Sequence, residues 1–377
     1  MHLTLHLTRS CNMRCAYCYS PPRPSESMTE EIGRRAMEWG AAHHGGSCGI
    51  VFFGGEPLLQ KDLIRALVSH GRALAEQGQA RFHFKITTNG LLLDEDFLSW
   101  AVREKMAISM SLDGVREAND AHRRLADGSP SFDLLLPHLR MLLEAKPYSS
   151  VLMVVNPDTV GWLEESVTFL LDLGVRYLIL SLNYAGSWDE DSLVALERAY
   201  RRLGKRYVEW TRAGRKFYLS PFEVKIGSHI NQDRCNELRC DPGVRQLSVD
   251  PAGYIYPCVQ FVRAGPESPW CVGHVATGLD ARAMRAVREA VCQPKEPCSQ
   301  CHLEPRCLHT CACLNWQTTG TVTQASPVLC RAERLLAPIA DRAAETLFRA
   351  RDPLFIQKHY NEAYPLLSFL EDQLSGA

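Results

Sequence analysis

Cys11-Asn12-Met13-Arg14-Cys15-Ala16-Tyr17-Cys18 is the stretch on which the reading of this chain turns. Three thiols fall within eight residues, with three and then two residues between them. Just before it, Leu3, Leu5 and Leu7 alternate with His2, Thr4 and His6, the period of a half-buried strand. A loop at a strand end can wrap three thiolates around one iron–sulfur cube. A tetrahedral zinc asks for a fourth protein ligand, and none adjoins the trio. A cube on three cysteines leaves one iron open to an outside ligand. Half of a zinc site and disulfides are the plainer readings, and the lack of a secretory signal weighs against disulfides.

The chain has 377 residues, enough for two to three domains and a large core. Its formal charge is −1 and its apolar fraction 46%. No basic excess points to nucleic acid, and no apolar run approaches the roughly 18 residues of a membrane span. Fifteen cysteines without an export signal read as metal ligation in a reducing cytoplasm.

From residue 1 to about 214 strands and helices alternate. Strands are predicted at 2–8, 49–53, 82–88, 106–112, 150–155 and 175–182. Helices are predicted near 29–42, 60–77, 94–104, 132–145, 159–173 and 190–213, the first with a Ser27/Glu30 capping box. Repeated βα units imply a parallel sheet with right-handed crossovers. Six units do not close an eight-stranded barrel, so the expected fold is α/β, an open partial (β/α)6 barrel with its chemistry at the C-terminal strand ends. Three of those ends carry polar signatures: Gly54-Gly55-Glu56-Pro57, Thr87-Thr88-Asn89-Gly90 and Ser109-Met110-Ser111-Leu112-Asp113-Gly114. Each alone is ordinary turn chemistry; three in register at one barrel face form a candidate site.

The CxxxCxxC loop after a first strand, with the aromatic Tyr17 before its third cysteine, resembles the radical S-adenosylmethionine (SAM) family, and the order of the three strand-end motifs matches too. The resemblance implies that Cys11, Cys15 and Cys18 hold a [4Fe–4S] cluster whose open iron is chelated by SAM. One electron would cleave SAM to a 5′-deoxyadenosyl radical that abstracts hydrogen. It also implies that Gly54, Gly55 and Glu56, beside Pro57, hold the SAM amino group. Ser111 would contact the ribose, and Arg123, or its neighbour Arg124, would pair with the carboxylate, a bidentate match. Thr88, Asn89 and Asp113 belong to the same rim, the last two as loop-shaping residues, and Asn156 at the end of strand five is a further candidate contact.

Beyond about residue 215 the βα rhythm is expected to stop, and eleven cysteines dominate, from Cys235 to Cys330. Paired CxxC sites commonly hold structural zinc. The longer pattern reads Cys240, twelve residues, Gly253, four residues, Cys258; then Cys298-Ser299-Gln300-Cys301, five residues, Cys307, three residues, Cys311, and finally Cys330. This resembles the seven-cysteine signature of SPASM domains, which carry auxiliary clusters. The resemblance implies two further [4Fe–4S] clusters, one on Cys235, Cys240, Cys258 and Cys311 and one on Cys298, Cys301, Cys307 and Cys330. Cys235 is the expected eighth ligand. Cys48, Cys271, Cys292 and Cys313 remain, read as buried small hydrophobes, with Cys313 and Cys271 the two able to swap into a cluster. The expected division is a radical SAM barrel at 1–214, a SPASM domain at 215–335 and a helical segment at 336–377. The helical segment carries an apolar face of Leu335, Leu336, Ile339 and Ala340, and a second helix spans 353–375, broken near Pro365.

The family resemblance implies an oxidoreductase acting on a peptide or protein. The leading reading is oxidative maturation of a ribosomally made peptide, by a thioether, a carbon–carbon crosslink or a related change. A sulfatase-maturating activity that turns a Cys or Ser side chain into formylglycine is the alternative, as is oxidation of a small molecule. That group places an aspartate after the cysteine of a Tyr-Pro-Cys segment, whereas Val259 follows Tyr256-Pro257-Cys258 here. For the substrate base, Tyr254, Tyr256 and Gln260 are candidates that spacing does not separate, with Glu223 and Asp233 in the same segment. Reduced flavodoxin or ferredoxin is the implied electron donor. Because the first strand begins at once, a separate leader-recognition protein, or direct docking of the leader on the SPASM surface, is expected for a peptide substrate. A zinc-stabilised binding protein without catalysis is the competing class, and iron and sulfide content would separate the two.

Overall fold

The computed structural model describes residues 2–19, 26–231, 243 and 246–375. Among the described residues eleven strands form one sheet. The parallel part is β1 (His2–His6), β2 (Ser47–Phe53), β3 (Arg81–Thr88), β4 (Ala107–Ser111), β5 (Ser150–Val155), β6 (Tyr177–Leu182) and β7 (Tyr218–Leu219), in chain order across the sheet. The crossover helices include α1 (Glu30–His43), α2 (Lys61–Glu76), α3 (Glu95–Arg103), α4 (Arg116–His122), α5 (Phe132–Ala145), α6 (Leu163–Asp172) and α7 (Glu190–Arg212). Every strand and crossover helix expected from periodicity is present, within a few residues at each end.

The reason is visible in burial. β3 buries Phe82, Phe84, Ile86 and Thr88 on one face while Arg81 and His83 stay exposed, the alternation of a strand with one covered side. α1 turns Ala36, Met37, Gly40 and Ala41 inward and its charged positions outward. Its start differs from the expected capping box. Thr29, not Ser27, is the N-cap and accepts from Ile32 N, while Ser27 donates its hydroxyl to Thr8 Oγ1 at 3.0 Å.

The sheet is larger than six units. β7 pairs in parallel with β6 and leads into α8 (Ser220–Ile230), so the rhythm continues past residue 214. On the other side, β8 (Gln246–Val249) pairs in parallel with β1, and β9 (Tyr254–Tyr256), β10 (Gly273–His274) and β11 (Gly278–Leu279) follow as antiparallel strands. The cysteine-rich part is therefore joined to the barrel through main-chain hydrogen bonds. Among the described residues no pairing joins β7 to β11, so the barrel stays open.

Beyond the sheet come α9 (Ala281–Cys292), α10 (Ala312–Thr319), α11 (Pro327–Arg349), α12 (Pro353–Tyr360) and α13 (Tyr364–Ser375). The long α11, capped by Ser326, packs on α7 and α8 and buries Leu336 and Ala340. The tail helix expected at 353–375 is two helices separated before Pro365. Of the four spare cysteines, Cys48 and Cys313 are buried as expected; Cys271 is half-buried and Cys292, near the end of α9, is exposed. No described helix is long and apolar enough to cross a membrane.

Candidate functional site

The C-terminal ends of β2, β3, β4 and β6 and the Cys11–Cys18 loop converge on one cavity of about 450 Å³. Cys11, Cys15 and Cys18 line it, together with Tyr17, Gly54, Gly55, Thr88, Asn89, Ser111 and Arg123. The sequence motifs thus meet in space.

Main-chain bonds hold the cysteine loop against the segment after α4: Arg14 N donates to Arg124 O at 2.8 Å and Ala16 N to His122 O at 2.9 Å. This pairing decides between the two arginines. Arg123 is buried, whereas Arg124 points outward and donates to Gly128 O. Arg123 Nη1 donates to Tyr17 Oη at 3.0 Å, and Arg123 Nε is buried without a partner. A buried guanidinium with one orphaned donor, lining a largely apolar cavity, fits a carboxylate ligand. Tyr17, Asp113 and Cys15 raise the pKa of Arg123, although burial opposes them.

Asn89 acts on the cluster loop, donating from Nδ2 to Asn12 Oδ1 at 2.8 Å and, more weakly, to Cys11 Sγ at 3.8 Å. Burial pushes the Cys11 thiol up to about 11 and also raises Cys15. A metal that binds such thiols displaces their protons. Cys11, Cys15 and Cys18 come from one short loop at the cavity wall, and three thiols so spaced fit a three-cysteine cube with an open iron.

Glu56, Pro57, Asp113 and Asn156 do not line the cavity. The Glu56 carboxylate is fully buried and accepts from Leu58 N at 2.9 Å, Thr88 Oγ1 at 2.6 Å and Asn89 N at 2.8 Å. It ties the end of β2 to the end of β3, and Pro57 opens the short 3-10 turn that follows. Desolvation raises the Glu56 pKa against these hydrogen bonds. The two glycines before it are fixed by the backbone: a Cβ on Gly54 would lie 2.4 Å from Thr8 O and one on Gly55 2.1 Å from Ser10 O. Asp113 sits behind Tyr17. Asn156 is buried, accepts from Asn183 Nδ2 at 2.8 Å, and reaches the cavity only through Asn183.

Of the three base candidates only Gln260 lines the cavity. Tyr256 is buried and its hydroxyl donates to Asp250 Oδ2 at 3.3 Å, while Tyr254, two residues earlier on β9, packs its ring against His274. Glu223 lies in α8, bonded by Tyr207 and paired with Lys358, while Asp233 is outside the described residues. Residues not singled out from sequence also line the cavity, among them Tyr19, Asn183, Tyr184 and Gln317. Asn183 follows the sixth strand immediately, so the strand-end rule that found Asn89 would have found it.

Cys298, Cys301, Cys307 and Cys330 line a second, separate hollow with Glu333. Burial, with the Glu333 charge adding to it, pushes Cys307 up to about 12. Four thiols around one hollow fit a fully ligated cube. Cys258, Cys311 and Cys313 gather beside the first cavity, and Cys235 and Cys240 lie outside the described residues.

Residues 5–170 match the model of the radical SAM superfamily. A cysteine-type anaerobic sulfatase-maturating enzyme of Clostridium novyi is 26% identical over 45% of this chain and 47% of its own length. An uncharacterised protein of Methanocaldococcus jannaschii is 28% identical over 48% of the chain and 62% of its own. The chain thus spans about half to two thirds of these curated relatives. In structure it is similar to anSMEcpe with bound AdoMet, with a TM-score of 0.79 at 16% identity, covering 93% of this chain and 99% of that one. It is also similar to Streptococcus suis SuiB bound to the precursor peptide SuiA, with a TM-score of 0.62 at 14% identity over 87% and 75%. The strand order, the three-cysteine loop and these matches agree: residues 5–170 match a radical SAM domain, and the chain as a whole is similar in fold to anSMEcpe and SuiB.

Proposed function

We propose that this protein is a radical SAM enzyme that oxidatively modifies a ribosomally made peptide, with SAM and three [4Fe–4S] clusters as cofactors. Bound in the first cavity, the cluster and SAM supply a carbon radical able to abstract an unactivated hydrogen atom. The residues of the chain do the rest. Arg123 supplies the positive charge that pairs with a carboxylate, Ser111 and Asn183 present polar contacts, and Leu152, Val154, Leu182 and Leu314 keep the walls apolar around the reacting carbon.

The observation that carries the reading is a shared cavity: one hollow is lined by the Cys11, Cys15 and Cys18 thiols and by Cys311 of the auxiliary set. A substrate there sits between a hydrogen-abstracting centre and an electron acceptor, the arrangement a net two-electron oxidation needs. The open barrel edge admits an extended chain, and SuiB, of similar fold, is bound to a precursor peptide. Reduced flavodoxin or ferredoxin supplies electrons in this reading.

Formylglycine formation is the second reading, favoured by the likeness to anSMEcpe. Against it, no carboxylate among the described residues lines the cavity, and Val259 follows Cys258. The test is to incubate the anaerobically reconstituted protein with SAM, dithionite and either a short peptide encoded beside its gene or a sulfatase-derived peptide. Loss of two hydrogens from the first peptide supports the proposal. An aldehyde trapped by hydrazide on the second peptide alone overturns it in favour of the maturase.

A further inference from the structure

Cys313 is absent from the seven-cysteine spacing, yet it is buried among that spacing's ligands. Its Sγ lies 3.5 Å from Cys311 Sγ, and Cys258 is the other thiol within its hydrogen-bonding reach. It also lines the substrate cavity. The contact is built into the fold: Cys311 is the N-cap of α10, and Cys313 is the second residue of that helix. As an iron ligand Cys311 would be a thiolate, and Cys313, outside the ligand spacing, would face it across the 3.5 Å contact as an S–H donor.

We propose that Cys313 is a positioning residue whose thiol donates a hydrogen bond to the ligand sulfur of Cys311, with Cys258 alongside, and so raises the reduction potential of the auxiliary cluster facing the substrate cavity. The inference rests on the auxiliary-cluster reading above. An incoming electron adds one negative charge to the cluster and its ligand sulfurs. A donor aimed at a ligand sulfur stabilises that reduced state, and removing the donor lowers the potential.

The test is an anaerobic redox titration of the reconstituted chain, followed by electron paramagnetic resonance, with iron counted in each variant. Cys313→Ala should keep the parent iron content and lower the midpoint potential of one cluster. Cys313→Ser, which restores a donor, should bring it back toward the parent value, and Cys292→Ala, at an exposed position, should leave it unchanged. Equal potentials in parent and Cys313→Ala overturn the proposal. So does loss of roughly four irons in that variant, which would make Cys313 a ligand. A parent holding only one cube removes the auxiliary cluster itself, a separate failure recognised from the iron count before any variant is made.

Discussion

The hydroxyl of Tyr17 donates a 2.7 Å hydrogen bond to Asp113 Oδ2, joining the cysteine loop to the end of β4 across 96 positions of sequence. The same hydroxyl accepts from Arg123 Nη1, and Asp113 Oδ1 accepts from Val154 N at 2.9 Å. A buried carboxylate therefore orients a phenol, which orients the guanidinium at the cavity wall. Asp113→Asn removes the counter-charge and should weaken SAM binding about ten- to a hundredfold, by the scale of a charge-assisted hydrogen bond. Tyr17→Phe should fall between it and the parent. Equilibrium binding of SAM to the reconstituted variants measures both, and unchanged affinity in Asp113→Asn would show that Arg123 needs no such support.

Glu56 is expected to act through structure. Glu56→Ala leaves the Leu58 and Asn89 N–H groups without their acceptor and should cost about 2–6 kcal/mol, from roughly 1–3 kcal/mol for each buried group left unpaired. Glu56→Gln, which keeps one acceptor oxygen, should cost less. Urea unfolding of the two variants gives the values. A variant of full stability that has lost only SAM affinity would instead make Glu56 a direct ligand contact.

Gly55→Ala should prevent the cysteine loop from seating, because the added methyl would collide with the Ser10 carbonyl at 2.1 Å. The collision is with backbone, so no side-chain rotation relieves it. Reconstituted Gly55→Ala should hold roughly four fewer irons than the parent, with a near-parent far-ultraviolet circular dichroism spectrum. Full iron incorporation would refute the argument.

Iron stoichiometry also separates the two hollows. Replacing Cys298 and Cys301 together by Ala should lower iron from roughly twelve to roughly eight per chain while the SAM-dependent signal of the first cluster persists. Replacing Cys11, Cys15 and Cys18 should remove a similar amount and abolish SAM cleavage. Loss of all iron in the first variant would contradict independent clusters.

His6, on β1 just before the cysteine loop, is pushed down to about 3 by burial, with the Arg9 charge adding to it. Above pH 6.5 the ring is neutral in folded and unfolded chains alike. As pH falls below that, the unfolded chain takes up a proton that the folded one refuses, so stability declines by about 1.4 kcal/mol per pH unit down to about pH 3. His6→Leu should flatten this slope between pH 6.5 and 5, as read by denaturant midpoints of the cluster-free protein. An unchanged slope would mean that other groups carry it.

What periodicity and spacing conveyed was the local order: which stretches are strands, which strand ends are polar, and which thiols keep cluster intervals. These are short-range properties, written in neighbours a few residues apart. Where charge and chain path compete, the linear pattern was silent. It left Arg123 and Arg124 equal, and only the backbone pairing of residues 14–16 with 122–124 turned one inward. It placed Glu56 beside its glycines, but not beneath Thr88 and Asn89, which lie 32 and 33 positions away. It ended the sheet near residue 214, because two-residue β7 and the parallel pairing of β8 with β1 leave almost no periodic trace. By itself the sequence determined that three thiols in close, fixed spacing would follow directly on a first strand. The tertiary structure alone decided which side chains share that cavity, because side chains distant in the chain meet only when hydrogen-bonded strands bring their ends together.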